Sequence, residues 1–331
     1  MNDSRTPERF NGAQQTGQII AVHTEFPFES IGISRRGFLK RSSLFLGLLP
    51  FSGVGELVAD AAKAPWFVDN LILSSHLFEK TPFFEMAPLI TELIPESRRI
   101  DLWVDSAGNK TSGHYDEIAA RGFPAAVEYC RANGLRLTTG TCYGKGYQAF
   151  AEPLRDLGCT LCIQSSGKVT SGSMTEMMKR ELEGCKPALE LAERYGCRIA
   201  IENHGGNFLL SGLDSFKAFM DLNTHPLLGI AFAPFHTQGR EAPPEVFLGE
   251  CATKVFYFYA WQRNPAGKTM AEQASGEAQF PGIGPLDFGP MFAILKSKCP
   301  DVLISPFMHR APGSARSVEL ARKSIAYLSA L

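Results

Sequence analysis

Arg198-Ile199-Ala200-Ile201-Glu202-Asn203-His204-Gly205-Gly206-Asn207 is the stretch from which the architecture of the chain is read. Ile199, Ala200 and Ile201 form a short apolar run that suits a strand buried on both faces. Glu202, Asn203 and His204 then place ionisable and polar groups on its last residues, and Gly205-Gly206 breaks the strand. A carboxylate and an imidazole at the end of a buried strand are costly unless they face a partner, a metal or a pocket.

Outward from this strand, one alternation repeats. The segment before it, 175–195, carries apolar residues at Met178, Leu182, Cys185, Leu189 and Ala192, the spacing of an amphipathic helix, and Gly196 ends it. The segment after it, 213–222, reads as a helix with Asp214 near its start. The same pattern puts strands at 70–76, 99–105, 135–142, 159–165, 227–233, 254–261 and 302–309. Helices follow at 82–93, 116–133, 148–157, 241–251, 286–296 and 314–328. Eight strand-then-helix units predict a parallel eight-stranded (β/α)8 TIM barrel, one domain over residues 65–331. A doubly wound open sheet is the alternative, although no Gly-x-Gly-x-x-Gly follows the first strand as a dinucleotide-binding version would require.

Residues 1–64 read differently. Ser34-Arg35-Arg36-Gly37-Phe38-Leu39-Lys40 precedes an apolar run from Leu44 to Val54, and Ala59-Asp60-Ala61 supplies a small-x-small cleavage signal. The paired arginines resemble the twin-arginine export signal. The expectation is a leader removed on export to the periplasm or cell envelope, with the twin-arginine machinery as partner. The apolar run is shorter than the ~20 residues a membrane span needs.

The composition is 44% hydrophobic and 20% charged, with formal net charge -1. That is a globular balance with no basic footprint for nucleic acid. The eight cysteines sit mostly inside apolar runs and do not form a disulfide framework. Cys159 and Cys162 make a CxxC in a segment read as strand, where residues three apart point to opposite faces.

In a (β/α)8 barrel the active site sits at the C-terminal strand ends. Those ends carry His76, Asp105, Tyr143, Gln164, Glu202 with Asn203 and His204, His236, Tyr259 with Trp261, and His309 with Arg310. One strand-end histidine usually serves as a hydrogen-bonded structural residue. His76, His204, His236 and His309 on one rim point instead to a polar pocket. Trp103, Trp261, Tyr259 and Phe235 offer flat apolar faces, and Gln164, Asn203, Gln262 and Arg310 offer directional hydrogen bonds, a combination suited to a sugar or polyol. Lys145, in the loop after the third strand, is placed to meet an anionic group.

Three segments carry a resemblance: Glu190–Gly206 (ELAERYGCRIAIENHGG), His225–His236 (HPLLGIAFAPFH) and Phe280–Phe288 (FPGIGPLDF). With the strand-helix order, they make residues 70–331 resemble the xylose isomerase-like barrels. That superfamily includes sugar-phosphate isomerases, epimerases and family 2 apurinic endonucleases. The resemblance implies a divalent cation (Mn, Mg or Co) held by Glu, Asp, His and Glu from four later strands. Glu202 falls on the first of those positions. The other three fall on Ala233, on the aromatic run Phe256–Trp261 and near Ser305. A shifted site from Glu202, His204 and His236, joined by His309, would be nitrogen-rich and suit Zn²⁺. The resemblance therefore implies an isomerase or epimerase of a sugar or polyol with a degenerate metal site, Glu202 and His236 carrying the chemistry. The alternatives are a carbohydrate-binding barrel without catalysis and an endonuclease-like hydrolase.

Overall fold

The computed structural model describes residues 66–93, 98–105 and 113–331, so the export-signal reading and the boundary at 64/65 lie outside the described residues. Eight strands follow in order: β1 (Ile72–Ser74), β2 (Arg99–Asp105), β3 (Arg136–Cys142), β4 (Leu161–Ser165), β5 (Arg198–Glu202), β6 (Leu228–Phe232), β7 (Val255–Ala260) and β8 (Leu303–Pro306). Each pairs in parallel with the next. A parallel bridge between Leu71 and Ile304 joins the first edge to the last. This is the (β/α)8 barrel. A doubly wound sheet would reverse its strand order in the middle, and this one does not.

Strand parity divides the core into two layers. Ile199 and Ile201 pack outward with Leu102, Ile230 and Phe258 in the layer shared with the helices. Ala200 packs inward with Trp103, Ile163, Ala231, Tyr257, Tyr259 and Phe307. Tyr257 and Tyr259 of β7 supply bulk inside the barrel, with the small Ala231 of β6 in register beside Tyr257. Each fully buried aromatic of this kind contributes about 1.5–3 kcal/mol. Glu202 shares the inward parity of Ala200 and is 3% exposed, so the fold aims its carboxylate into the barrel mouth.

Several expected elements are broken where local chemistry wins over periodicity. The helix expected over 116–133 is two, His114–Arg121 and Phe123–Ala132, split at Gly122 with φ 96. The helix over 175–195 is likewise Met174–Gly184 and Lys186–Tyr195, because Pro187 cannot donate to the preceding turn. Three strands also stop early. β1 passes into a 3-10 turn, Ser75–Phe78, capped by the Ser74 hydroxyl. β6 passes into a short helix, Pro234–Thr237, and β8 stops at Pro306, since proline lacks the N–H that a ladder needs. His76, His236 and His309 therefore stand on the turns after their strands. All eight cysteines are free thiols, seven of them buried.

Asp101 of β2 also points into the barrel and is fully buried. Its Oδ1 accepts hydrogen bonds from the Thr139 and Thr141 hydroxyls at 2.5 and 2.9 Å. The Ser74 hydroxyl and the Trp103 indole stand beside the carboxyl and also favour its charged form. Burial raises the carboxyl to about 6, against the pull of these hydroxyls. A group raised in the folded state binds its proton more tightly there. The stabilisation is therefore complete below the unfolded value near 4 and is lost as pH rises through about 6. The wild type is expected to lose on the order of 3 kcal/mol relative to Asp101→Asn between pH 4 and pH 7. Denaturant titrations of both proteins across that range measure the difference; parallel curves would remove Asp101 as the cause.

Candidate active site

Seven aromatic side chains close a ring around the barrel mouth, each in contact with the next. Tyr143 meets His204 edge-on at 5.6 Å between centroids, and His204 lies 4.7 Å from His236. His236 stands edge-on to Trp261 at 5.3 Å, and Trp261 to His309 at 4.8 Å. His309 meets His76 at 5.3 Å, His76 stacks on Trp103 at 4.3 Å, and Trp103 returns to Tyr143 at 5.3 Å. Phe307 and Tyr259, 5.1 Å apart, lie in contact with the ring. β7 positions Trp261 and Tyr259, β2 positions Trp103, and the early strand stops bring His76, His236 and His309 to the same level.

Glu202 is the acid of this cup. Its Oε2 accepts a hydrogen bond from the Tyr143 hydroxyl, which lies 3.1 Å from the Tyr259 hydroxyl. Its Oε1 lies 3.6 Å from His236 Nε2 and 4.0 Å from His204 Nε2. Burial raises the Glu202 carboxyl, against the opposing pull of His204 and Tyr143. The histidines go the other way. Burial lowers His236 to about 3 and His76 to about 4, and it lowers His204 and His309 as well. At neutral pH burial favours the uncharged form of all four imidazoles in the ring.

Their tautomers follow from the backbone. His204 Nδ1 lies 3.2 Å from the Glu202 carbonyl oxygen, so it carries the ring proton and Nε2 presents a lone pair. His236 Nδ1 accepts the Gly205 N–H at 3.3 Å, so its proton sits on Nε2, facing Glu202. Glu202, His204 and His236 offer ligand atoms within 4.8 Å of one another. In these tautomers, however, the triangle holds two acceptors and one N–H donor.

The remaining sequence candidates divide by what they bond. Asn203 ties the ends of two strands together, its Oδ1 accepting Ala233 N–H at 2.7 Å and its Nδ2 donating to Ala233 O at 3.1 Å. Gln164 accepts the Tyr147 N–H at 3.0 Å at the start of the helix that precedes β4. Trp261 donates to Gln279 at 2.9 Å and stacks on Phe235 at 3.8 Å. His309 Nδ1 and His76 Nε2 lie 3.3 Å apart. Arg310 is exposed, with φ 57. Asp105 ends β2, and its side chain lies outside the described part. Sequence reading missed Tyr143 as the partner of Glu202 and Phe307 beside the ring. Parity was the available signal: Tyr143 continues the inward series of Thr139 and Thr141, and Phe307 that of Leu303 and Ser305.

Residues 128–331 match the xylose isomerase-like TIM barrel family. Among curated proteins, none matches the sequence. Among solved structures, the IOLI protein with a binding zinc atom is similar at 12% identity, TM-score 0.62, covering 79% of this chain and 98% of that one. The 3-keto-D-glucoside 4-epimerase of E. coli is similar at 14% identity, TM-score 0.59, covering 79% and 99%. A sugar phosphate isomerase/epimerase from Parabacteroides distasonis is similar at 11% identity, TM-score 0.56, covering 82% and 96%. Identities this low speak to the shared fold.

Proposed function

The chain belongs to the xylose isomerase-like TIM barrel family, and from that premise we propose that it is an isomerase or epimerase of a sugar or polyol, with Glu202 as the group that moves the proton. The observation that carries this reading is a buried carboxylate that accepts the Tyr143 hydroxyl, itself paired with that of Tyr259, and faces two neutral imidazoles at the mouth of the barrel. Glu202 takes the proton from the carbon next to a carbonyl. The electron pair moves onto the carbonyl oxygen, where the His236 Nε2–H stabilises the developing charge; a neutral imidazole donor serves such an oxygen well. The ring faces pack against C–H surfaces of the sugar. The Tyr143–Tyr259 hydroxyl pair returns a proton.

A resident cation does not fit this donor set. The family's hard-cation positions fall on Ala233, on the aromatic run Phe256–Trp261 and near Ser305, and none of these residues is anionic. A zinc-type ion on Glu202, His204 and His236 would have to move the His236 proton from Nε2 to Nδ1, where it would face the Gly205 N–H. A sugar hydroxyl donates once and accepts up to twice, so one acceptor and the His236 N–H match it, and the second acceptor is left for a neighbouring hydroxyl. The site is thus a degenerate form of the family's metal centre, reused for hydroxyl recognition. The same three replacements favour the second reading, a barrel that binds carbohydrate without catalysis.

The test combines metal analysis with solvent deuterium exchange over a panel of ketoses, aldoses and their keto-glycosides. We expect under about 0.1 equivalent of Zn, Mn or Co, and carbon-bound deuterium incorporation unaffected by chelator. Stoichiometric metal that disappears in His204→Ala would sink the metal-free reading. Sugar binding without exchange anywhere in the panel would favour the binding barrel. Export through the twin-arginine pathway completes the proposal; fractionation of cells expressing Arg35→Lys/Arg36→Lys tests it.

A further inference from the structure

Beside the ring, a cavity of about 490 Å³ opens between the loops that follow β3 and β4. It shares Tyr143 with the ring, and its floor includes Ser165, which pairs in register with Glu202. The cavity therefore continues the cup. Its charge differs sharply from that of the ring. Lys145, Lys168 and Arg180 line it, with Glu181 as the one carboxylate.

The cations are set by the fold. Arg180 holds the loop by donating to Ser171 O at 2.7 Å and Thr170 Oγ1 at 3.1 Å. Lys168 lies over Phe208, 3.0 Å from the ring centroid, and Phe208 stacks on His204 at 4.6 Å. An ammonium over an aromatic face is held in place while its remaining donors stay in water. Glu181 accepts the Gly167 N–H at 2.9 Å. Burial raises its carboxyl, and the Gly167 N–H opposes that shift.

We propose that this cavity is a subsite for the anionic substituent of a carbohydrate, a carboxylate or a phosphate, whose ring carbons lie in the aromatic cup. This rests on the reading of the cup as a sugar site. The geometry supports an extended ligand: Tyr143 and Ser165 stand at the join, with Glu202 on one side and the three cations on the other. Hydroxyls of Ser165, Ser166 and Thr170 supply neutral donors to the anion's oxygens.

The test measures binding of glucuronate, glucose 6-phosphate and glucose at equal ionic strength, on wild type and on Lys145→Gln, Arg180→Gln and Glu202→Gln. At least one anionic sugar is expected to bind tenfold or more tightly than glucose; the one preferred separates a carboxylate site from a phosphate site. That preference should fall below about threefold in Lys145→Gln and in Arg180→Gln, and persist in Glu202→Gln. Arg180→Gln also releases the loop at Thr170 and Ser171, so Lys145→Gln is the variant free of that effect. Equal binding of all three sugars, or a preference unchanged in Lys145→Gln, would overturn the subsite. An anion preference without deuterium exchange would leave the subsite standing and remove the isomerase reading alone.

Discussion

Glu202→Gln is expected to lower deuterium exchange by about three orders of magnitude while making the fold slightly more stable. The two effects have one cause. Glu202 is 3% exposed, and burial raises its carboxyl because the charged form is poorly solvated there. A carboxyl buried in this way costs stability, a cost expected at a site that the reaction uses. The Gln amide can still accept the Tyr143 hydroxyl through its oxygen, so the local geometry survives. It offers no basic lone pair. The gain in stability should be on the order of 1 kcal/mol, read by denaturant titration at pH 7. Activity within tenfold of wild type would show that another group moves the proton. A stability loss above about 2 kcal/mol would make Glu202 a structural acid instead.

The barrel was legible because its signal is repetitive. Each strand-helix unit states the same pattern, and errors at one boundary do not propagate to the next. Helix breaks at Gly122 and Pro187 were missed because an apolar period continues across them. Half of the site was legible too. Glu202 and His204 stand in one stretch, and His236 closely follows the sixth strand, on the short helix that Pro234 opens.

The other half depends on contacts across the barrel. Tyr143 lies 59 residues from Glu202 in sequence, and nothing local to either announces the hydrogen bond. Asn203 and Gln164 show the opposite difficulty. A strand-end amide reads as a ligand donor, yet both face away from the inward series and spend their oxygens on backbone N–H groups. The tautomers of His204 and His236 were equally invisible, being set by a carbonyl and an N–H of the intervening turn. Ligand type can be counted in a sequence. Whether a ring nitrogen presents a lone pair or a proton cannot, and here that difference separates an ion site from a hydroxyl site.

The hydroxyl of Tyr143 should matter more than that of Tyr259, although the two are 3.1 Å apart and it is Tyr259 that is fully buried. Burial raises both phenols well above their usual range, so neither serves as a base near neutrality and each can only carry a proton. Tyr143→Phe leaves both Glu202 Oε2 and the Tyr259 hydroxyl without their partner. Tyr259→Phe leaves the Tyr143–Glu202 bond intact. The expected stability losses are about 2–4 kcal/mol and about 1 kcal/mol respectively. The rate should fall about 10²–10³-fold for Tyr143→Phe and about tenfold for Tyr259→Phe. The Tyr143 hydrogen bond also favours the charged carboxylate and opposes the effect of burial. Its removal should therefore move the acidic limb of the rate profile to higher pH, whereas Tyr259→Phe should leave that limb in place. If the two hydroxyls form one relay, the double variant loses no more rate than Tyr143→Phe alone. Rate losses that simply multiply would mean that the two tyrosines act separately, and that the proton returns to the sugar by another route.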